Sequence, residues 1–354
     1  MKILVVGDFM VDFHEEAFYQ GFSKEGHEVK KFKVASYFNS NIAIDQKKGS
    51  LMDLYYRFQR KFGIGPVINQ LNKDLVLMVQ EFKPDFVFIY RGILISAATV
   101  KKISQISKIF VYNNDDPFGL GYGSYFWRHY KKGLKYVDWI FYYRPKNEAD
   151  YEQLGLENKS LLRSYYLEEK NFSLELSLEQ KVYDVIFIGH YEADGRDQIL
   201  LNLLKNTSYK IKIFGPEWHR SPLYQEFLSI QGDIVPVRAA YNETINQAKI
   251  ALVFFSKLNN DTYTRRVFEI TATKTLMLSE YTDDMASMFA PDQEACYFKN
   301  EAELNQQINT LLSNEERITG IGTAGQQRLV SDGHAIDDRV KEVLATYNRI
   351  NLVR

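Results

Sequence analysis

Residues 183–206 read YDVIFIGHYEADGRDQILLNLLKN: an apolar run that stops at a glycine, a polar turn, and a segment with leucines at helical spacing. A run of β-branched and aromatic residues ending in glycine before a helix is the opening of a parallel α/β unit, where the strand is buried on both faces. The chain begins the same way at residues 2–8, KILVVGD. The pattern therefore starts twice. After the first start come EVKKFKV, FVFIY, KIFVYNND and WIFYY, with amphipathic stretches such as VINQLNKDLVLMVQEF between them. After the second come YKIKIFG, DIVPV, IALVFF and TLMLSE. Strand-like and helix-like runs in alternation predict crossover-connected parallel sheets, so the fold class is α/β with two doubly wound domains in tandem. The polar stretch RSYYLEEKNFSLELSLEQKVYD lacks strong period and places a linker at about 167–182. The predicted domains are 1–170 and 183–335, with a closing helix at 336–354 available to pack back on the first. Sheets of this kind place ligands at the carboxyl ends of their strands, which predicts an interdomain cleft.

The 354 residues suffice for two cores. A net charge of −1 excludes the global basic field that drives non-specific nucleic-acid binding, and any anion site must be local. No nucleic-acid partner is expected. The tyrosines beside basic residues in YYRFQRKF, FWRHYKKGLKY and FYYRPK read as amphipathic packing or a peripheral surface; the aromatic, basic first half allows contact with a membrane-borne acceptor, with a solvated helix face the favoured alternative. The sole cysteine, Cys296, excludes an intramolecular disulfide and a cysteine-cluster metal site. With an amino terminus that reads as a strand and no apolar run near the roughly 20 residues of a spanning helix, the expected setting is cytoplasmic, including the inner face of a membrane.

No GxxxxGK[ST] pattern occurs, and the GxGxxG spacing occurs at residues 320–325, GIGTAG, with no strand-like run before it, so a standard dinucleotide fingerprint or P-loop is not supported. Gly189 ends the strand of the opening stretch, where a glycine lets a ligand reach the backbone and free helix amides favour an anion; a tight turn with no ligand is the alternative. The segment 261–275, DTYTRRVFEITATKT, lies between two apolar runs. A helix from about Thr264 to Thr273 puts Arg265 and Glu269 on one face and turns Val267, Phe268 and Ile270 inward. Arginines in a first helical turn oppose the helix dipole. Either Arg265 and Arg266 meet an external anion, or Arg265 and Glu269 pair on a solvated surface.

The segment from TRRVFEITATKTLMLSEY to GTAGQQRLV resembles the carboxyl-terminal part of CgeB-type, spore-maturation-protein-like glycosyltransferases of the GT-B fold. KPDFVFIYRG, VYNNDDP, YVDWIFYYRPKNEADYEQLG and the opening stretch fall where that family has similar blocks. The resemblance implies two Rossmann-like domains, a nucleotide-diphosphate-sugar donor bound by the second, and a glycan, lipid-linked sugar or protein acceptor on the first. It implies no other cofactor and no metal. In the wider group a Glu-x7-Glu pattern ends in a carboxylate that takes the nucleotide ribose. Glu269 matches that position, and Asp261 stands where the first glutamate would be. Arg265 and Arg266 would face the leaving diphosphate, joined by Gly189, His190 and Arg196. For Arg196 an ion pair with Asp194 or Asp197 is the competing role. In GDFMVDFHEE, Asp8, Asp12 and His14 follow the first strand where inverting relatives carry a general base, and capping or turn roles are the alternative. Lys274 replaces the usual glycine at the helix end, so either the chain turns there without a left-handed glycine cap or the lysine lines the site. The Glu269 match favours retention of anomeric configuration, and the shorter acid at Asp261 leaves inversion open. A non-catalytic nucleotide- or glycan-binding protein of the same frame, acting in surface-layer assembly, is the competing function.

Overall fold

A computed structural model describes residues 1–38, 51–119, 123, 125–257 and 259–352. The chain forms two compact units, one of residues 1–163 and 336–354, the other of residues 164–335.

The first unit contains β1 (Lys2–Gly7), α1 (Glu15–Lys24), β2 (Glu28–Lys33), α2 (Leu51–Phe62), α3 (Pro66–Phe82), β3 (Phe86–Tyr90), α4 (Ala97–Ile103), β4 (Lys108–Asn113), α5 (Arg128–Gly133), β5 (Trp139–Tyr142), α6 (Asn147–Gln153) and β6 (Lys159–Leu161). Its strands pair in parallel in the order β2-β1-β3-β4-β5-β6. FVFIY at β3 explains how one sheet serves two cores. Alternation sends Val87 and Ile89 to an aliphatic core with Leu71, Leu75 and Val79 of α3, and Phe86, Phe88 and Tyr90 to the other face. There Phe18 of α1 lies 4.7 Å from Phe88, and Phe22 lies 5.7 Å from Phe86. Aromatic content is thus spent largely on packing.

The second unit contains β7 (Tyr183–Ile188), α7 (Arg196–Asn206), β8 (Ile211–Phe214), α8 (Tyr224–Gln231), α9 (Tyr241–Asn246), β9 (Ala248–Val253), α10 (Arg265–Ala272), β10 (Leu276–Glu280), α11 (Asp283–Met288), β11 (Cys296–Phe298), α12 (Glu301–Leu312) and α13 (Glu315–Ser331). Its strands, again all parallel, run β11-β10-β9-β7-β8. The last helix, α14 (Ile336–Leu352), returns to the first unit. Gly21 of α1 admits it closely, since a Cβ there would sit 2.5 Å from Val340, and the Tyr347 ring lies 5.3 Å from that of Phe86, tilted by 38°.

Three differences from the sequence reading have local causes. DIVPV is not a strand: Pro236 has no amide to donate, and toward the sheet the segment offers the Val235 carbonyl, which accepts from Gly215 at 3.1 Å. The three-residue edge strands β6 and β11 are too short to show a period. Within 167–182, the backbone amides of Phe172 and Leu174 donate to Asn242 and Asn246 at 3.1 and 2.8 Å, which ties this polar stretch to α9.

Candidate functional site

In the second unit strand order reverses at β7: β8 lies on one side, and the chain then crosses to β9 on the other. The crevice at the carboxyl ends of β7 and β9 is the topological switch point, the usual ligand position in open parallel sheets. Two arginines occupy it. Arg266 donates from Nη1 to the Ile188 carbonyl at the end of β7 (3.0 Å) and from Nη2 to the Phe254 carbonyl just beyond β9 (3.5 Å). Arg196 donates from Nη2 to the neighbouring Phe255 carbonyl at 3.3 Å.

Glycines make this closeness feasible. A Cβ at position 189 would lie 2.5 Å from Arg266 Nη1. Gly215, at φ +145°, lies so near that a Cβ there would meet the Gly189 carbonyl oxygen at 1.9 Å. The Gly189 amide donates to Phe214 (2.9 Å), and Trp218 Nε1 donates to the Gly189 carbonyl (2.9 Å). The turn is therefore pinned on both polar groups, and neither position tolerates a side chain without movement.

Arg196 is 2% exposed and meets Asp194 through two parallel bonds, Nε to Oδ1 at 2.9 Å and Nη2 to Oδ2 at 2.6 Å, with Glu192 3.4 Å away. The ion-pair alternative for Arg196 is thus realised with Asp194, in a buried setting. His190 Nε2 lies 2.8 Å from Glu192 Oε1, its own side chain half exposed. Burial pushes the Glu192 carboxyl up, but hydrogen bonds from His190 and Ser256 and the charge of Arg196 outweigh it and hold the group at about 2.

Thr264 caps α10, its hydroxyl accepting from the Arg266 amide at 3.2 Å. Val267, Phe268 and Ile270 are buried, which turns Glu269 inward as well, at 3% exposure. Both its oxygens are engaged: Arg265 Nη1 at 3.0 Å from Oε1, and the Tyr241 hydroxyl donating to Oε2 at 2.8 Å. Burial, reinforced by the Glu269 charge, pushes the Tyr241 hydroxyl well above its ordinary range, so it remains a donor. Arg265 and Glu269 do pair, on a carboxylate withdrawn from solvent. Among the described residues Arg266 makes no ion pair, and its buried Nε has no hydrogen-bond partner. Burial, with Arg196 nearby, weakens its hold on the proton. The charges of Arg196 and Arg265 are answered by carboxylates, whereas Arg266 meets neutral carbonyls and the Phe187 ring, whose centre is 5.9 Å from its Cζ.

Asp261 lies in the β9–α10 loop, its amide donating to Ser256 at 3.1 Å. Lys274 itself adopts the left-handed conformation, φ +61°, at the helix end where glycine is usual, and its Nζ lies 2.6 Å from Glu175. The lysine supplies the left-handed cap.

In the first unit the switch point falls between β1 and β3. Residues Gly7, Asp8, Glu15, Tyr90 and Arg91 line a small cavity there. Asp8 pairs with Arg60 at 3.3 Å, His14 Nδ1 lies 2.8 Å from the Tyr90 hydroxyl, and Asp12 is exposed in the turn. The carboxylate that organises this loop is Glu15, a residue the sequence reading passed over. It is buried and accepts the amides of Asp8 (3.0 Å) and Phe9 (3.3 Å). Burial pushes its pKa up, and the charge of Asp8 adds to that, against the lowering by those amides. Its signal was present: Glu15, Phe18 and Phe22 share one face of α1. Glu192 was also missed, although it stands three residues after Gly189. Tyr241 carried no signal, because only the fold brings it to Glu269.

Residues 196–345 match the model of a family described as glycosyl transferase-like. Solved structures align over nearly the whole chain. Sucrose-phosphate synthase from Thermosynechococcus elongatus aligns over 100% of both chains with TM-score 0.72 at 10% identity. HepE from Anabaena, in complex with UDP-glucose, covers 98% of this chain and 100% of its own with TM-score 0.67 at 10% identity. An S. aureus TarM variant, in complex with Fondaparinux, α-GlcNAc-glycerol and UDP, covers 98% and 99% with TM-score 0.65 at 9% identity. No curated protein matches the sequence. The fold is that of the GT-B glycosyltransferases, two α/β units with parallel sheets of six and five strands. Together with the family-model match, it supports a glycosyltransferase.

Proposed function

We propose that the protein transfers a sugar from a nucleoside diphosphate sugar to a glycan, lipid-linked sugar or protein acceptor, with retention and without a metal ion, as a glycosyltransferase of the CgeB type. The observation that carries the donor assignment is the pairing, on one turn of α10, of a buried carboxylate with an arginine that lacks an ion-pair partner at the switch point. A carboxylate accepts both hydroxyls of a ribose, and a guanidinium matches phosphate oxygens. Glu269, steadied by Tyr241 and Arg265, takes the ribose. Arg266 takes the diphosphate, with Arg265 and the Gly189–His190 turn beside it and Arg196 bracing that turn. When the bond from the anomeric carbon to the diphosphate oxygen breaks, its electron pair leaves on that oxygen, and Arg266 stabilises the charge as it develops. The acceptor hydroxyl forms the new bond and gives up its proton. In a same-face transfer that retains configuration the departing diphosphate oxygen takes that proton; Asp8, Asp12 and His14 are the candidates to receive it in an inverting course, and Asp261 is a candidate to contact the sugar. Uridine diphosphate sugars are the first donors to try, because HepE and TarM are both seen with UDP ligands.

The test is thermal stabilisation by UDP, GDP, ADP, dTDP and their sugars, with and without magnesium. One nucleotide is expected to stabilise the protein equally in both conditions. Arg266→Ala and Glu269→Ala are expected to lose that stabilisation while still melting cooperatively. Variants that bind as the parent does would sink the assignment. The non-catalytic reading has its own support in Asp261, the shorter acid where the wider group has glutamate, and predicts nucleotide binding with neither hydrolysis nor transfer of the sugar.

A further inference from the structure

Helix α2 is oriented against its own pattern. Leu51, Leu54, Tyr55 and Phe58 recur at the spacing of one helical face, which in a globular protein turns to the core. Here they are 87%, 64%, 42% and 52% exposed. The one buried residue of the helix is polar: Gln59, at 2% exposure. Its Oε1 accepts the Val67 amide at the head of α3 (2.8 Å), and its side chain fills the space left by Gly65, where a Cβ would lie 2.4 Å from Oε1. A polar anchor therefore fixes the helix with its apolar stripe outward.

The stripe has a basic border. The helix carries Arg57, Arg60 and Lys61 against a single acid, Asp53. Arg60 turns back to Asp8. Arg57 is 75% exposed with Asp53 at 3.5 Å, and at 100° per residue Arg57 and Lys61 follow one edge of the stripe. An outward apolar face about 18 Å long, edged by cations, is complementary to a surface of acyl chains beneath anionic headgroups. Among the described residues no helix is long and apolar enough to cross a membrane, so such a contact would lie in the interfacial plane.

We propose that α2 docks the protein on an anionic membrane surface, with Leu51, Leu54, Tyr55 and Phe58 at the headgroup–acyl boundary and Arg57 and Lys61 against lipid phosphates. This deepens the lipid-linked branch of the acceptor reading. Its test is read without turnover, so failure of the one is distinguishable from failure of the other.

The measurement is co-sedimentation of the full chain with vesicles of phosphatidylcholine, with or without phosphatidylglycerol, at low and high salt. The parent is expected to bind the anionic vesicles and to be released by salt. Leu54→Ser with Phe58→Ser is expected to abolish binding. Arg57→Gln with Lys61→Gln is expected to weaken it about 25-fold, at about fivefold per cation. These positions are exposed, so both variants should melt as the parent does and respond to nucleotide unchanged. Absence of binding, indifference to phosphatidylglycerol, or a stripe variant that binds like the parent would overturn the proposal. So would a concentration-dependent dimer abolished by Phe58→Ser, which would make a second copy the occupant.

Discussion

The two units place opposite chemistry at the same topological position. At the switch point of the second, Arg266 and Arg196 lie on carbonyls at the ends of β7 and β9; at that of the first, Glu15 fills the loop after β1. One crevice is furnished with guanidinium groups, the other with a carboxyl group that burial keeps reluctant to ionise. Topology fixes where a ligand can sit, and the residues that open the following helices decide its charge. The glycines differ correspondingly. A Cβ on Gly7 would meet the Glu15 side chain at 2.2 Å, whereas one on Gly215 would meet backbone at 1.9 Å.

That contrast breaks most visibly in the largest expected effect. Gly215→Ala should cost several kcal/mol, because φ +145° and the Gly189 carbonyl leave a methyl group no place. Gly7→Ala should cost less, and adding Glu15→Ala should recover part of the loss, since the obstacle is then gone. Urea melts of the three variants measure this; equal costs at both glycines would remove the distinction.

A second break is in binding. Loss of a charge-assisted contact to phosphate on Arg266→Ala should weaken nucleotide affinity by about 10- to 100-fold. Asp8→Ala, in the first unit, should leave that affinity unchanged. Calorimetric titration separates the two.

Acid sharpens the comparison further. Glu192 has a depressed pKa, so its stabilisation is present above its unfolded value of 4.5 and is lost as pH falls toward about 2. Glu15 has a raised pKa, so the cost of its ionisation is present above its folded pKa and disappears below 4.5. Acid should therefore weaken the second unit through Glu192 while relieving the first through Glu15. Hydrogen exchange between pH 5 and 2, a window taken from these shifts, should show the second unit opening earlier, and Glu192→Gln should flatten its acid limb.

The smallest effect concerns Lys274. A lysine at φ +61° is strained where glycine is not, and its partner Glu175 is largely exposed. Lys274→Gly should stabilise the protein by roughly 0.5–1 kcal/mol. If sugar transfer falls while stability rises, the lysine serves the site as well as the turn.

The strands that build both crevices were legible because buried parallel strands are written as unbroken apolar runs: KILVVG, FVFIY, YDVIFI and LMLSE are strands in the structure. So was the α10 helix, with Thr264 as its cap and Arg265 one turn before Glu269. What sequence could not supply was third partners. Tyr241 stands 28 residues before Glu269 on a helix of only six residues, and no local period connects them. Glu15 was overlooked differently, as one of two adjacent glutamates, although its spacing to Phe18 and Phe22 sets it on the apolar face of α1. DIVPV misled because its composition is strand-like while Pro236 removes a donor.

The return of α14 to the first unit sets an order on synthesis. Residues 164–335 form a continuous insert whose ends lie together, the Tyr166 amide donating to the His334 carbonyl at 3.1 Å. On the ribosome that insert can complete its fold before the last 19 residues emerge, while the aromatic layer of the first unit, with Phe22 and Phe86 in place, still lacks Tyr347 and Val340. The half of the protein that is made first is thus finished last, and a nascent chain released before residue 336 would carry a complete second unit and a first unit with its bed of phenylalanines uncovered.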